Sequence, residues 1–493
     1  MNVNPITRLD YPDPDVIRVE DTYYMVSTTM HFMPGCEILQ SFDLVHWEHV
    51  TYVYETLDHT DAQQLKSGQN IYGQGMWAAS LRYHEGRFCI CFVANDTRKT
   101  YLYTSEKIDG PWKKQLIEGF YHDGSLLFDE DGRNYIVYGN DEIWITELNE
   151  DLTAPKKDGL HRLLVSDHKN PELGYEGSHI QKINGYYYIF LVHSLRDRWM
   201  RTEACFYSDS LEGEFTGGDV LCDDRGYCGQ GVAQGGIVDT PDGKWYAMLF
   251  QDSGAVGRLP ILLPVTWKDH FPFFGQNGHV PEEIEVHSTR PGYIYQPLVG
   301  SDDFCNGLLP RWQFNHDPDP RYYHLDALQG TYTITTREVC TELTQAVNTL
   351  TQRMSYPSCA AEVTVDASAL KEGDVAGLCA LQSCYAAVGI TKHHGKYEVL
   401  MLDKKEDGIL DMTEGTVVES HQMDFRLEAD FCNMKDEARC YYRVNKGDWL
   451  PIGTVHKLYF KLDHFTGCRF GLFCYAAEET GGSACFRDFK YYG

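Results

Sequence analysis

The chain has 493 residues and a formal net charge of −29, because 72 Asp and Glu outnumber 43 Lys and Arg. That length exceeds one ordinary hydrophobic core and predicts at least two domains. The excess of negative charge argues against nucleic acid and anionic membranes as partners, because both require basic patches. It favours a neutral substrate.

Localisation is predicted from the N-terminus and the cysteines. The first five residues lack both a basic and an apolar region, so the chain as given has no signal peptide, and no apolar run is long enough for a transmembrane helix. The 16 cysteines show no Cys-x-x-Cys zinc spacing, and several lie in apolar strands. We therefore expect reduced core thiols and a cytoplasmic protein. A secreted protein with a trimmed signal is the alternative, and a homo-oligomer is compatible with the sequence.

A turn-and-strand pattern recurs through the first half of the chain. Polar turns lead into aromatic strands at five places, Glu20-Asp21, Glu85-Gly86, Asp131-Gly132, Asn184-Gly185 and Asp242-Gly243. Asp-Gly and Asn-Gly between apolar runs are strong hairpin signals. Repeated units at roughly 45 to 65 residues predict a β-propeller with five blades over residues 1–298. A plain β-sandwich with many hairpins is the alternative.

The repeats stop near residue 295, where a polar, turn-prone stretch reads as a linker. Alternating strands follow at 331–335, 360–365, 386–390, 397–402, 440–444, 470–475 and 485–491. Short strands separated by turns predict a two-sheet β-sandwich over residues 299–493. The predicted fold class is thus all-β.

Three acidic residues stand out by their settings. Asp13 lies between two prolines, Asp123 in His122-Asp123-Gly124-Ser125, and Glu176 in Tyr175-Glu176-Gly177-Ser178, each just before an apolar strand. Inner strands of a propeller surround one axis, so these acids can converge. One carboxyl group that protonates a leaving oxygen and one that activates water are what hydrolysis of a glycosidic bond needs. The sequence therefore predicts a glycosidase.

The segments around these acids resemble glycoside hydrolase family 43. The similarity runs in order through residues 11–14, 27–39, 41–47, 77–84, 176–179 and 257–260. The second half is similar to the concanavalin-like, jelly-roll C-terminal domain of that family's β-xylosidases, with residues 312–316 near its start. The resemblance covers nearly the whole chain. It implies a five-bladed propeller and an inverting, mostly exo-acting glycosidase.

The resemblance also implies a role for each site residue. Asp13 corresponds to the general base, Glu176 to the general acid, and Asp123 to the residue that orients the acid. A nearby carboxylate is expected to raise the pKa of Glu176, so that it stays protonated. The implied substrate-binding residues are Arg258, Trp77, His31, Phe32 and Gln234.

Gln234 marks a departure from the family. Many relatives have a histidine there, which helps to hold calcium or a water on the propeller axis. A lone glutamine carbonyl is a poorer reason to expect a tightly held metal. We therefore expect no required cofactor, with calcium in doubt.

The resemblance implies that terminal β-D-xylosyl or α-L-arabinofuranosyl units are removed from neutral plant oligosaccharides. Two alternatives stay open: an endo-arabinanase, and a non-catalytic sugar-binding propeller. The endo-arabinanase is disfavoured by the C-terminal domain, and the binding module by the presence of all three acids. A retaining sucrose-type hydrolase is excluded because its Asn-Asp-Pro-Asn segment is absent.

Overall fold

In the computed structural model, which describes residues 3–413 and 415–493, the first part of the chain forms five four-stranded antiparallel sheets. Each sheet is built from consecutive strands. Blade 1 consists of Asp15–Val19, Thr22–Ser27, Gly35–Ser41 and Glu48–Tyr54, and blade 2 of Met76–His84, Arg87–Ala94, Lys99–Ser105 and Lys113–Ile117. Blade 3 consists of Ser125–Phe128, Asn134–Asn140, Glu142–Leu148 and His161–Ser166. Blade 4 consists of Glu176–Ile183, Tyr186–Ser194, Arg201–Ser208 and Thr216–Leu221, and blade 5 of Val232–Asp239, Trp245–Asp252, Arg258–Lys268 and Phe271–Phe274.

All five predicted hairpins are confirmed as the turns between the first and second strands of the blades. In blade 1 Val19 pairs with Thr22 across Glu20-Asp21, and in blade 4 Ile183 pairs with Tyr186 across Asn184-Gly185. Gly185 has a φ of 84°, a left-handed conformation that glycine adopts without steric cost. These hairpin turns therefore account for the repeated pattern of a polar turn followed by an aromatic strand in the sequence.

The ring of blades is closed by apolar packing. One buried cluster fills each gap between neighbouring blades, including the gap between blade 5 and blade 1, where Val16 and Tyr23 pack with Val238 and Leu262. The N-terminal segment seals this last gap, because Ile6 N donates to Pro260 O at 3.1 Å. The five-bladed all-β propeller is therefore confirmed.

The second part of the chain forms two larger sheets that enclose a common core. The seven-stranded sheet contains Tyr323–Asp326, Thr331–Thr335, Ser483–Tyr492, Ser358–Asp366, Gln422–Asp430, Glu437–Val444 and Leu450–Lys457. The nine-stranded sheet contains Phe32–Met33, Gln313–Asn315, Leu350–Arg353, Arg469–Tyr475, Val375–Leu381, Tyr385–His393, Lys396–Lys404, Leu410–Met412 and Thr416–Val418. Three short 3₁₀ turns complete the described elements, Lys66–Gly68, Leu343–Gln345 and Cys432–Met434. The β-sandwich is confirmed.

One strand of the nine-stranded sheet comes from the propeller. Phe32–Met33 lies between the second and third strands of blade 1, yet it pairs with Phe314 and Asn315 of the sandwich. A buried ion pair at 2.7 Å between Glu37 and Arg353 also joins the two domains. The boundary after residue 298 lies in the connection between Phe274 and Gln313 and stays a prediction.

All 16 cysteines are free, and ten of them are buried. This agrees with the expected core thiols, although Cys222, Cys228, Cys305 and Cys432 are exposed. Within the two described ranges, we find no helix with the length and apolar character needed to span a membrane.

Candidate active site

The three acids stand at corresponding places in three blades. Asp13 and Asp123 each lie two residues before the inner strands of blades 1 and 3, and Glu176 is the first residue of the inner strand of blade 4. Asp13 and Asp123 have φ angles of 52° and 48°, so both lie in the left-handed region, where asparagine and aspartate are tolerated better than most residues. The acids therefore face one end of the propeller axis from different sides.

Asp123 and Glu176 are linked through backbone and side chain. Gly177 N, next to Glu176, donates to Asp123 Oδ2 at 3.0 Å. His122 lies between the two carboxyl groups, with its Nε2 3.5 Å from Asp123 Oδ2 and 3.4 Å from Glu176 Oε2. Asn140 Nδ2 also donates to Glu176 Oε2, at 2.7 Å. Glu176 Oε2 is thus held on two sides.

Asp13 is held by a hydroxyl and a guanidinium. Thr28 Oγ1 donates to Asp13 Oδ2 at 2.5 Å, and Arg258 Nη1 donates to Asp13 Oδ1 at 2.6 Å. Arg258 Nε donates in turn to Asp252 Oδ1 at 3.2 Å, and Asp252 also binds Arg201. Asp13 is only 3% exposed. Two hydrogen bonds, one of them from a charged guanidinium, therefore fix its orientation.

Phe465 of the sandwich domain covers Arg258. Its ring lies 3.7 Å from the Arg258 guanidinium carbon and 5.5 Å, centroid to centroid, from Trp77. The backbone beside it is anchored to the propeller, because Gly467 N and Arg258 N both donate to the Asp10 carboxylate, at 2.7 and 2.8 Å. The second domain therefore contributes a wall of the site.

The pKa of Glu176 differs from the raised value that the sequence analysis predicts. Burial alone raises the pKa of Glu176, but the His122 imidazolium, with Arg201 and Arg258, outweighs burial and lowers that pKa below its usual value. Burial, reinforced by the Glu176 and Asp13 carboxylates, raises the pKa of Asp123 to about 6, even though His122 opposes the shift. Glu176 is therefore ionised at neutral pH, contrary to the expectation of a raised pKa.

The structure brings some of the other predicted residues to the acids. Arg258 contacts Asp13 directly, the Trp77 ring lies 6.0 Å from that of His122, and Gln234 packs against Gly177. His31 and Phe32, in contrast, are buried at the domain junction. His31 packs between Phe32, Tyr72, His316 and His464, and the Arg469 guanidinium lies over the Phe32 ring. Their assignment to the pocket wall gains no support from these contacts and stays a prediction.

Six further residues at the site were missed by sequence reasoning, namely Thr28, His122, Asn140, Arg201, Asp252 and Phe465. Thr28 and His122 could have been found, since both lie in segments already singled out. The other four gave no local signal, because their proximity arises from contacts between different blades or domains. Within the described part of the chain, His122, Asp123 and Glu176 form the one group whose ligand atoms lie close enough, within 4.8 Å, to hold a metal ion.

Known proteins resemble this chain over both domains. The model of glycosyl hydrolases family 43 matches residues 3–272, and that of the β-xylosidase C-terminal concanavalin A-like domain matches residues 301–492. A β-xylosidase of Formosa agariphila is 26% identical, with 97% of this chain and 88% of that protein covered. A non-reducing end α-L-arabinofuranosidase of Bacteroides ovatus is 24% identical, with 83% and 79% covered.

A solved structure extends the similarity to the arrangement of both domains. The bifunctional GH43-CE protein of Bacteroides eggerthii is 42% identical to this chain and superimposes with a TM-score of 0.92. The superposition covers 99% of this chain but 63% of that protein, so the chain spans less than two thirds of its length. The acids, the blades and the matched sequence models lead to one assignment: the chain belongs to glycosyl hydrolases family 43 and is a glycoside hydrolase.

Proposed function

We propose that the protein is an exo-acting, inverting glycosidase that releases terminal β-D-xylosyl or α-L-arabinofuranosyl units from xylo- or arabinoxylo-oligosaccharides. The observation that carries this proposal is the convergence of Asp13, Asp123 and Glu176 with Arg258 at one end of the propeller axis. The relatives named above as a β-xylosidase and an α-L-arabinofuranosidase support the choice of sugars.

In this proposal Asp13 is the general base. Its carboxylate is held by Thr28 and Arg258, so it can keep a water aligned for attack on the anomeric carbon. As the bond to the leaving oxygen breaks, Glu176 protonates that oxygen. Water then adds from the face opposite to the leaving group, and the anomeric configuration inverts.

Asp123 orients the acid. It accepts a hydrogen bond from Gly177 N, the backbone group adjoining Glu176, and therefore fixes the start of the strand that carries the acid. Its own carboxyl group is buried, with a pKa raised to about 6. Loss of Asp123 is expected to misalign Glu176 and to change the charge that surrounds it.

Exo action is supported by the wall that the sandwich domain adds. Phe465 packs on Arg258 and Trp77, and the loop that carries it is tied to Asp10. A wall against Arg258 and Trp77 bounds the site on one side, which suits a single terminal sugar better than an internal unit of a polymer. An open groove would suit an endo-arabinanase.

We also propose that catalysis requires no metal. Gln234 offers a single amide oxygen, and its backbone N–H donates to Glu203 Oε2 at 2.7 Å. Burial raises the pKa of Glu203 well above its usual value, so this neighbouring acid stays uncharged. A neutral amide and a neutral acid form a weak donor set for calcium, which prefers several charged or carbonyl oxygens.

The test is hydrolysis of 4-nitrophenyl β-D-xylopyranoside and 4-nitrophenyl α-L-arabinofuranoside, with Asp13→Ala as control. Proton NMR of the first product formed reports the anomer and hence inversion or retention. Turnover that the variant loses, with an inverted product, supports the proposal. Turnover of neither glycoside contradicts it. Cleavage of linear arabinan would then indicate an endo-arabinanase, and binding without cleavage a sugar-binding propeller.

A further inference from the structure

His122 is the one imidazole in direct contact with both Asp123 and Glu176 among the described residues. Its Nε2 faces Asp123 Oδ2 at 3.5 Å and Glu176 Oε2 at 3.4 Å. Its position is fixed from two sides, because Gly139 N donates to its carbonyl oxygen at 3.0 Å and its ring packs against Trp77. The side chain is 20% exposed, so it lies at the edge of the site and remains in reach of solvent.

The groups that face His122 favour its protonated form. The carboxylates that act on the ring come from three blades, namely Asp123, Glu176 and Asp13, whereas the guanidinium groups of Arg201 and Arg258 act on the pKa of Glu176. Burial lowers the pKa of His122, but the three carboxylates outweigh burial and raise that pKa to about 9. At neutral pH the ring is therefore an imidazolium.

This charge distribution removes the proton from Glu176 at neutral pH, because the pKa of Glu176 is lowered. A general acid must nevertheless carry a proton when the glycosidic bond breaks. The nearest acidic proton is on His122 Nε2, which lies 3.4 Å from Glu176 Oε2. Transfer from nitrogen to oxygen gives a neutral imidazole and a neutral carboxylic acid, so the two side chains hold one proton in either state.

We propose that His122 is a positioning residue that holds the catalytic proton and supplies it to Glu176 in each turnover. This inference rests on the proposed function, in which Glu176 is the acid. His122 Nε2 passes its proton to the Glu176 carboxylate, and Glu176 gives that proton to the leaving oxygen as the bond to the anomeric carbon breaks. The neutral imidazole then regains a proton from solvent, and Asp13 releases to solvent the proton that it took from the attacking water.

The same three side chains could in principle accept a cation, but that use conflicts with the proposed chemistry. A cation between them would occupy the carboxylate that must carry the proton. It would also meet an imidazolium rather than the neutral imidazole that metal ions bind. Proton transfer is therefore the function that this arrangement favours.

The first experiment measures the proton on His122 without any substrate. NMR titration of the ¹³C- and ¹⁵N-labelled imidazole in the whole protein, assigned by comparison with His122→Gln, should give a midpoint well above the value of about 6.5 for free histidine. In Glu176→Gln the midpoint should move to lower pH, because one of the facing carboxylates is neutral. A His122 that titrates near or below the free value overturns the proposal, whatever the activity of the enzyme.

The second experiment compares pH profiles of kcat/KM for wild type and His122→Gln on a substrate with a poor leaving group, such as xylobiose. The basic limb should move to lower pH by about one unit or more, because Glu176 alone then holds the proton. A 2,4-dinitrophenyl glycoside should show little effect. Imidazole added to His122→Ala should restore part of the lost activity. The matched control is His168→Gln. This variant removes an exposed imidazole in the loop between the last strand of blade 3 and the first strand of blade 4.

The outcomes separate the two proposals. A basic limb that stays in place while activity falls shows that His122 has a packing role only. A limb that moves to higher pH shows that His122 merely lowers the pKa of the acid. Either result overturns the inference and leaves the glycosidase proposal standing. Absence of wild-type turnover contradicts the proposed function, and the NMR titration still decides whether His122 holds a proton.

Discussion

Replacing Arg258 by lysine tests whether one planar guanidinium must hold the base and its neighbour together. Arg258 Nη1 donates to Asp13 Oδ1 at 2.6 Å, and Nε donates to Asp252 Oδ1 at 3.2 Å. A lysine has a single terminal nitrogen and cannot reproduce both bonds in this geometry. The variant therefore loses about one charge-assisted hydrogen bond, which corresponds to a free energy of about 1.5–3 kcal/mol.

If the lost hydrogen bond stabilises the transition state by that amount, kcat/KM should drop about 10- to 150-fold. The assay is initial-rate hydrolysis of the two 4-nitrophenyl glycosides, with circular dichroism and urea denaturation to show that the variant is folded. Arg133→Lys is the control, since Arg133 pairs with Asp131 at an exposed hairpin and should leave kcat/KM unchanged. A folded Arg258→Lys enzyme with the wild-type kcat/KM would refute the reasoning.

Three further predictions concern the general acid, the ion pair between the domains and the need for a metal. Glu176→Ala should lower kcat/KM by about 10²–10⁴-fold on xylobiose but far less on a 2,4-dinitrophenyl glycoside, and equal losses would contradict the acid assignment. Burial opposes ionisation of Glu37, but Arg353 outweighs it and lowers the pKa of Glu37 from 4.5 to about 2. Glu37→Gln should therefore lower the free energy of unfolding by about 3 kcal/mol at pH 7, as measured by urea denaturation. This loss of stability should persist down to about pH 4.5 and vanish as the pH falls towards 2. A loss that does not change with pH would contradict the predicted ion pair between Glu37 and Arg353. Because we propose that catalysis requires no metal, EDTA should change kcat/KM by less than about twofold, and a loss that added calcium reverses would contradict that proposal.

Local signals in the sequence predicted the hairpins of the propeller but not every strand of the fold. Asn184-Gly185 and the other four turns depend on neighbours in the chain, so each hairpin could be predicted before its partner blades were known. Strand Phe32–Met33 could not, because two residues carry no periodicity and their partners in the sandwich lie far along the chain. Short strands of this kind are defined by tertiary pairing rather than by pattern.

The site was predicted less completely than the fold, for an electrostatic reason. Asp13, Asp123 and Glu176 could be recognised by their segments, but the pKa of Glu176 depends on every charge around it. Two neighbouring carboxylates suggest a raised pKa, and the pKa is lowered because His122 and Arg201 approach from different blades. Such a balance requires distances, which a sequence does not contain.

The strand shared by the two domains has a consequence for the path of the sugar. Phe32–Met33 is hydrogen-bonded into the sandwich only a few residues after Thr28, which holds Asp13. Separating the domains would break this strand pairing and the buried contacts of Asp10, so a hinge-like opening is too costly to accompany every catalytic cycle. Substrate and product are therefore expected to pass through the rim beside Asn140, where the site meets solvent, while the rest of the enzyme stays closed.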